Sequence, residues 1–388
     1  MSTSTPGIPH DTVDSSTGVI VSTSRSRGHV HADDFPSDDA AVQHAYDLAV
    51  THTGMPRTVI LDAAEREFRF SAPLEIWQSH CRVTSTGGVT IRPAAGYSGP
   101  LITSARRPET ERGEDDLISN VVVDHIWLDG ENRSIGIKLK HLQLSTIHNI
   151  HVRNTDGPGL WLSDYCIENL FTDIVLSDEC GSLDQPALLL QPEGTEPLSG
   201  MADIGNITVN STRFSGLMIH FPTNACLAVG TGQAPVAVSR RQRKIQFSGC
   251  FFHAHPRQTA PLVTLAEAYE MAFVGTQMLS WNDKGAVMQI GSPDAVYPTG
   301  ITLISHCIFG SKPNSDTVGI RVVNADTNGP CLSVFGNSFG SQDRRLAHAV
   351  DWGNQAGKSA AWAANAVFVR DRPHIGVLPV DSDEKPFK

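Results

Sequence analysis

The spacing of apolar and polar residues changes along the chain, and each spacing predicts a different element. After an N-cap signal at Ser37, apolar residues recur three and four positions apart, which predicts one amphipathic helix over residues 37–50. From Val59 to Ile91 the alternation has period two and is interrupted by turn residues, which predicts short strands. The first 35 residues show no hydrophobic period.

From Val123 onward an eight-fold repeat is visible. In each block an apolar residue is followed by another five positions later, with a mostly small or turn-forming residue two positions after the first. Such a residue is what a tight bend between two strands requires. The blocks are Val123 to Leu128, Ile147 to Val152, Phe171 to Leu176, Val209 to Phe214, Phe247 to Phe252, Phe273 to Met278, Leu303 to Ile308 and Val334 to Phe339.

A second signature follows each block: a small residue or proline and then an apolar alternation. Block starts are 24 to 38 residues apart, so a unit of two or three short strands repeats with insertions of varying length. The second signatures begin at Gly136, Gly159, Ala187, Gly216, Pro261, Ala286, Gly319 and Ala349.

This organisation predicts an all-β fold, a single-stranded right-handed parallel β-helix (a solenoid) with an N-terminal capping α-helix. A β-sandwich would show hairpin turns every 8 to 12 residues, which are nearly absent here. The predicted domains are a flexible or partner-dependent N-terminal arm (1–35), the β-helix with its cap helix (36–352) and a C-terminal tail (353–388).

Composition and charge narrow the function classes. Of 388 residues only 18% are charged, and the net charge is −11, which argues against binding nucleic acid or an anionic membrane surface. No apolar run approaches 18 residues, and the start lacks a standard export signal. Seven cysteines without a CxxC pair indicate buried free thiols, not a disulfide framework or zinc site.

The segment Asp38-Asp39-Ala40-Ala41-Val42-Gln43, the strands from Thr58 to Ile91 and the coils up to Val350 resemble the pectate-lyase-like superfamily, in the tailspike-like branch with an N-terminal cap helix. The resemblance implies that a carbohydrate polymer, such as a bacterial surface polysaccharide, binds an exposed sheet face, and that carboxylates of neighbouring coils supply any catalysis. It also implies a homotrimer, with residues 1–35 available for attachment to a larger assembly, and a virion or extracellular location.

Two pairs of acids occupy matching coil positions and are candidate general acids and bases. Asp156 and Asp184 form the first pair, with Arg133 and Arg213 expected to flank it and bind substrate. The alternative role for any acid at a strand end is a turn former or a solvated surface group.

The second pair is Asp164 with Glu193, and His141 and His220 are expected beside it as substrate-binding and catalytic residues respectively. Trp161 would project outward from the same strand and could stack on a sugar ring, or else form an interface contact.

Another candidate acid comes from a partial likeness to polygalacturonases. Asn154-Thr155-Asp156-Gly157 matches their first motif and Asp178 lies near their acidic pair, while their later motifs are missing. A lyase, epimerase or fructan transferase on the same scaffold is a further alternative, for which Lys138 and Arg321 offer basic groups. A third is a non-catalytic tail or adhesion component. No cofactor is predicted, although clustered acids could bind calcium.

Overall fold

The computed structural model describes residues 18–51, 57–104, 117–193, 209–230, 242–293, 299–313, 315–324, 332–340, 346–351, 360–369 and 372–376. Within these ranges the α-helix α1 spans Asp38–Thr51. In chain order the strands are β1 (Val19–Ser22), β2 (Val30–His31), β3 (Thr58–Asp62), β4 (Phe68–Phe70), β5 (Leu74–Ile76), β6 (Arg82–Ser85), β7 (Val89–Pro93), β8 (Pro100–Ser104), β9 (Ile118–Ser119), β10 (Val122–Asp129), β11 (Ile135–Leu139), β12 (Leu142–Gln143), β13 (Thr146–Arg153), β14 (Leu160–Leu162), β15 (Leu170–Ser177), β16 (Leu188–Leu190), β17 (Arg213–Ser215), β18 (Met218–His220), β19 (Leu227–Val229), β20 (Gln242–Arg243), β21 (Gln246–Ser248), β22 (Phe251–His253), β23 (Val263–Leu265), β24 (Ala268–Tyr269), β25 (Met271–Val274), β26 (Gln277–Leu279), β27 (Lys284–Ile290), β28 (Thr302–Ser305), β29 (Ile308–Gly310), β30 (Asp316–Val322), β31 (Leu332–Phe335), β32 (Ser338–Phe339), β33 (Val350–Asp351), β34 (Ala360–Ala363), β35 (Asn365–Val369) and β36 (Arg372–Gly376).

The strands form a parallel β-helix, as predicted. A large sheet of 22 strands and a second sheet of ten strands run along the solenoid, and two small two-stranded sheets complete the coils. The second sheet comprises β5, β8, β11, β14, β16, β19, β23, β27, β30 and β33. Pairing between coils is parallel throughout the described strands, except between β35 and β36.

Two inward columns of the large sheet build the core. Their members pair in register from coil to coil and are almost fully buried. The first column contains Val123, Ile147, Phe171, Phe214, Phe247, Phe273, Ile304 and Val334, and the second contains Leu128, Val152, Leu176, Ile219, Phe252, Met278, Phe309 and Phe339.

Between these columns each coil bends at one residue with φ between 50° and 65°. Gly, Asn, Asp and His are the residues that tolerate this left-handed conformation best. The bend residues are His125, Asn149, Asp173, Gly216, Gly249, Gly275, His306 and Gly336. The predicted bend column was therefore right except at Ser211 and Ser305.

Both wrong bend predictions arise because, at each place, two overlapping segments of the sequence fit the same apolar spacing. The predicted block Val209 to Phe214 is in fact Phe214 to Ile219, and Leu303 to Ile308 is Ile304 to Phe309. The first error also misplaced a second signature. The segment starting at Gly216 belongs to the large sheet, and the second-sheet strand of that coil is β19. Two later second-sheet strands, β23 and β27, are shifted by one residue from the predicted register.

Helix α1 caps the first coils, and its polar side chains bond to the main chain of the strands beneath it. The main-chain N–H groups of Arg69, Ser71 and Glu75 donate to the side chains of Asp38 (2.6 Å), Asp39 (2.7 Å) and Gln43 (2.9 Å). These contacts satisfy donors at an edge that would otherwise be open to another strand.

The structure places parts of the predicted arm and of the predicted C-terminal tail in the solenoid. Of the predicted arm, residues 18–35 include β1 and β2, and β1 pairs with β3 of the first coil. The apolar residues Val19 and Val21 of β1 are fully buried, so β1 belongs to the core. Beyond residue 352, β34 and β35 continue the large sheet by pairing with β31 and β32. Residues 1–17 and 377–388 lie outside the described residues.

The described cysteines are buried free thiols, as expected: Cys81, Cys166, Cys180, Cys226, Cys250 and Cys307. Burial raises the pKa of Cys166 and of Cys180 to about 12, so both remain protonated and unreactive. Cys331 lies outside the described residues. No helix among the described residues is long and apolar enough to cross a membrane.

Candidate functional site

The outward face of the second sheet carries several of the predicted site residues. Lys138 of β11 pairs in register with Trp161 of β14, and both side chains alternate with buried leucines or isoleucine of the same strands. Trp161 thus projects outward, as predicted from the period-two pattern.

Lys138, Trp161, Asp164 and Glu193 form one group, which we call the second-sheet site. The Lys138 ammonium lies 4.1 Å from the centre of the Trp161 ring and 2.6 Å from Oε1 of Glu193. The indole N–H of Trp161 donates to the carbonyl of Gln191 at 3.0 Å, which fixes the ring. The indole therefore cannot rotate freely, and its face stays next to the charged groups of Lys138 and Glu193.

The structure brings the predicted pair Asp164 and Glu193 together through the main chain. The N–H of Glu193 donates to Oδ1 of Asp164 at 3.0 Å, and the Ser163 hydroxyl donates to Oδ2 at 3.2 Å. Asp164 is buried while Glu193 is exposed. His141 joins this group, since its main-chain N–H donates to the Asp164 carbonyl at 2.7 Å.

The expected position of His220 beside this pair was wrong. His220 ends β18 in the large sheet and pairs in register with Ser177 and His253. Its ring lies 3.9 Å from that of Phe221 and 5.1 Å from that of His253. The cause is the misassigned strand at Gly216.

The first acidic pair lies in turns between the sheets. Asp156 and Asp184 are both exposed, and the Asp156 N–H donates to the carbonyl of Ser134 at 3.1 Å. The expected flanking by arginines was wrong for Arg213, which lies in β17 of the large sheet, in register with Leu170.

Arg133 instead joins an ionic network at the start of the solenoid. It contacts Glu131 at 2.6 Å, as does Arg69. Burial alone would raise the pKa of Glu131, but hydrogen bonds to these two arginines and their charges lower it overall. The network is consistent with a structural role.

The two segments that resemble a polygalacturonase motif lie in adjacent coils. The main-chain N–H of Asn154 donates to the carbonyl of Asp178 at 2.8 Å. The side chain of Asn154 donates to Asp129, and the Asp178 carboxylate accepts from the Ser177 hydroxyl at 3.2 Å. These contacts are typical of polar turns.

Arg321 lies on the same outward column as Lys138 and Trp161, one strand before the far end of the second sheet, and contacts Asp351 of the last strand at 3.1 Å. The column runs through Lys138, Trp161, Leu189, Ala228, Thr264, Gln289 and Arg321. Six coil steps of about 4.8 Å make it about 29 Å long, which suits an extended polymer.

In the part of the chain that the structure describes, no group of three or more His, Cys, Asp or Glu side chains is arranged to hold a metal ion. Calcium binding therefore stays a prediction without a located site.

Sequence reasoning missed a second polar group, on the large sheet. Asp124 and His148 occupy the same position in adjacent coils, and His125 is the bend residue after Asp124. The signal was present in the sequence, because the same register that aligns Val123 with Ile147 aligns Asp124 with His148.

No protein-family profile and no curated protein matches the chain. Among solved structures, it is similar to ORF18 of Geobacillus virus E2, with 15% identity and a TM-score of 0.57 over 90% of this chain and 61% of that one. It is also similar to the enzymatically active domain of bacteriophage CBA120 tailspike protein 2 (10% identity, TM-score 0.54, 85% of this chain and 44% of that one).

A third similar structure is the tailspike protein of Acinetobacter baumannii phage AM24, with 12% identity and a TM-score of 0.54 over 87% of this chain and 54% of that one. The chain thus spans between two fifths and two thirds of the length of these proteins. The coil register and these likenesses together identify the fold of the chain as a parallel β-helix.

Proposed function

We propose that this protein binds a polysaccharide along the outward face of its second sheet, with the second-sheet site as the main contact. The observation that carries the proposal is the fixed indole of Trp161, with Lys138 and Glu193 around it. A sugar presents an apolar ring face and polar hydroxyls, and a tryptophan flanked by charged groups offers a partner for each.

The rest of the outward column supports an extended ligand. Beyond Trp161 the column passes the buried Leu189 and the small, half-buried side chains of Ala228 and Thr264, and it continues through Arg321 to Asp351. The positions from Lys138 to Arg321 span about 29 Å, which exceeds one sugar ring severalfold. The fold shared with tailspike proteins is compatible with such a ligand.

Binding is favoured over glycosidic cleavage because both carboxylates already have partners within the protein. Glu193 contacts Lys138, and Asp164 accepts from Ser163 and from the Glu193 main chain. Hydrolysis would require two carboxyl groups that both reach the scissile bond.

We also propose a homotrimer that attaches to a larger assembly through its N-terminal residues, in a virion or extracellular setting. Exposed apolar side chains on the large sheet favour a partner surface there: Trp127 is 50% exposed, Met218 42% and Ile308 45%. Light scattering coupled to size-exclusion chromatography would give three times the 41.8 kDa chain mass. A monomer at micromolar concentration would contradict it.

The binding proposal is tested with the full chain and a panel of acidic and neutral polysaccharides immobilised on a surface. We expect saturable binding to at least one of them, and competition by its soluble oligosaccharides. Absence of binding across a panel of bacterial surface glycans would contradict the proposal.

A further inference from the structure

The outer face of the large sheet carries a compact polar group, the Asp124 cluster, formed by Arg82, Asp124, His125 and His148. It is built by three successive coils, since β6 pairs with β10 and β10 pairs with β13. It does not include any residue of the second-sheet site. Its chemistry is therefore independent of the proposed glycan binding.

Asp124 is the centre of the cluster and is completely buried. Its Oδ2 lies 2.6 Å from a guanidinium nitrogen of Arg82 and 3.0 Å from Nε2 of His148. Its Oδ1 lies 3.5 Å from Nδ1 of His125 and, among the described residues, accepts no hydrogen bond of ordinary geometry. One buried carboxylate thus faces two imidazoles, one guanidinium and the hydroxyl of Thr84.

The two imidazoles are held close together and reach solvent. Their centroids are 5.6 Å apart at an interplanar angle of 81°, and the side chains of His125 and His148 are 45% and 31% exposed. Nε2 of His148 and Nδ1 of His125 face Asp124, which leaves Nδ1 of His148 and Nε2 of His125 as the second nitrogens of the two rings. Histidine is the residue best suited to give and take protons near neutral pH.

The residues next to Asp124 and His148 in their register column carry no further charge. Asp124 lies between Thr84 of β6 and His148, and the next coil places Thr172 beyond His148. In the bend column, Asn149 follows His125, and the carboxylate of Asp173 lies one coil further. Within these two columns, the charged neighbours of the two rings are Asp124 and, two coils from His125, Asp173, while Arg82 contacts Asp124 from β6.

Glycoside hydrolysis does not fit these groups, because it needs two carboxyl groups and the cluster has one, which is buried. A base, an acid and a cation are instead the parts that cleavage of a phosphate diester requires. The guanidinium of Arg82 carries N–H donors beyond the one that faces Asp124, its side chain is 48% exposed, and its planar fork matches phosphoryl oxygens.

We propose that the Asp124 cluster hydrolyses a phosphate diester, with His148 as the general base, His125 as the general acid and Arg82 bound to the non-bridging oxygens. Nδ1 of His148 takes a proton from water while the water oxygen bonds to phosphorus. The bond from phosphorus to the leaving oxygen breaks, and protonated His125 gives its proton to that oxygen. The products are a phosphate monoester and an alcohol, and the proton on His148 returns to His125 through solvent.

The test uses the full chain and bis(4-nitrophenyl) phosphate, with release of 4-nitrophenolate followed by absorbance. We expect turnover by the wild type, and a loss of roughly 100-fold or more in kcat for His148→Gln and for His125→Gln. His306→Gln is the matched control, because His306 sits at the same bend position with φ 55° but next to Ser305 instead of an aspartate. It should leave kcat unchanged.

The pH profile separates a catalytic from a structural role. For the wild type, the plot of kcat against pH should be bell-shaped. It should rise as the base loses its proton and fall as the acid loses its own. His148→Gln should flatten the acidic limb and His125→Gln the alkaline limb. If His148→Gln fails to fold by circular dichroism, the exposed His125→Gln still decides the question.

The proposal is overturned if the wild type fails to hydrolyse millimolar probe, or if His125→Gln retains the wild-type rate. It is also overturned if 4-nitrophenyl acetate is hydrolysed and the phosphate diester is not, since the site would then act on carboxylic esters.

Discussion

The ammonium of Lys138 lies 4.1 Å from the centre of the Trp161 ring, one coil away on the outward face of the second sheet. Because Glu193 contacts the same ammonium at 2.6 Å, cation, aromatic ring and carboxylate occupy fixed relative positions. The arrangement depends on the register between β11 and β14. A change that shifts this register should therefore also weaken the proposed binding.

Asp38 should contribute to the docking of the cap helix. Asp38→Asn weakens a contact with Arg66 at 2.6 Å and the bond from the Arg69 main chain. We expect a loss of about 2 kcal/mol in the free energy of unfolding, because hydrogen bonds to charged groups contribute about that much. Asp33→Asn is the matched control, since Asp33 also contacts Arg66 but is 52% exposed, and it should cost less than about 1 kcal/mol.

Urea unfolding followed by circular dichroism measures both variants. Equal destabilisation by Asp33→Asn and Asp38→Asn would contradict the role given to Asp38.

Phe247 lies in the middle of a stack of buried phenylalanines. Its ring centroid is 4.8 Å from that of Phe214 and 4.9 Å from that of Phe273. Phe247→Ala should lower the free energy of unfolding by about 3 to 5 kcal/mol, because it leaves a cavity in a packed core. Phe251→Ala, on the outside of the same coil and only half-buried, should cost clearly less in the same urea titration. The reverse order would show that the register is wrong.

The sequence predicted the architecture because each coil repeats the same apolar spacing. It could not decide the register where two windows fit, as at Phe214, whose position is set by contact with Phe171 and Phe247 in the adjacent coils. Site predictions depend on that register. The pairing of Asp164 with Glu193 was found because its coil was aligned correctly, whereas Arg213 and His220 were assigned to the wrong sheet.

Asp124 should stabilise the fold in a pH-dependent way. Burial alone would raise its pKa, but the Thr84 hydroxyl, Arg82 and His148 lower it below the ordinary value of 3.8. A lowered folded-state pKa means that the ionised form contributes stability above the unfolded pKa, and that this contribution disappears as the pH falls through the folded pKa. The difference in unfolding free energy between the wild type and Asp124→Asn should thus have its maximum value at pH 6 and become smaller below pH 4.

Thermal unfolding of both proteins between pH 3 and pH 7 measures this difference. A difference that grows on acidification would contradict the account.

Asp164 and Glu193 are expected to support binding without glycosidic cleavage, since both carboxylates have partners within the protein. Incubation with a bound, glycosidically linked polysaccharide should release no new reducing ends. Release that is lost in both Asp164→Asn and Glu193→Gln, with folding intact, would instead establish them as a catalytic pair.

The most direct test of the binding account is isothermal titration of one bound oligosaccharide into the wild type, Trp161→Ala and Trp127→Ala. Trp127 is the matched control because its indole lies on the large sheet, away from the second-sheet column, and light scattering first checks that both variants keep the oligomeric state of the wild type. We predict that Trp161→Ala weakens binding at least about tenfold, a change of about 1.4 kcal/mol, while Trp127→Ala leaves it unchanged. Wild-type affinity in Trp161→Ala, with its fold intact, would contradict the claim that the second-sheet face binds the polysaccharide.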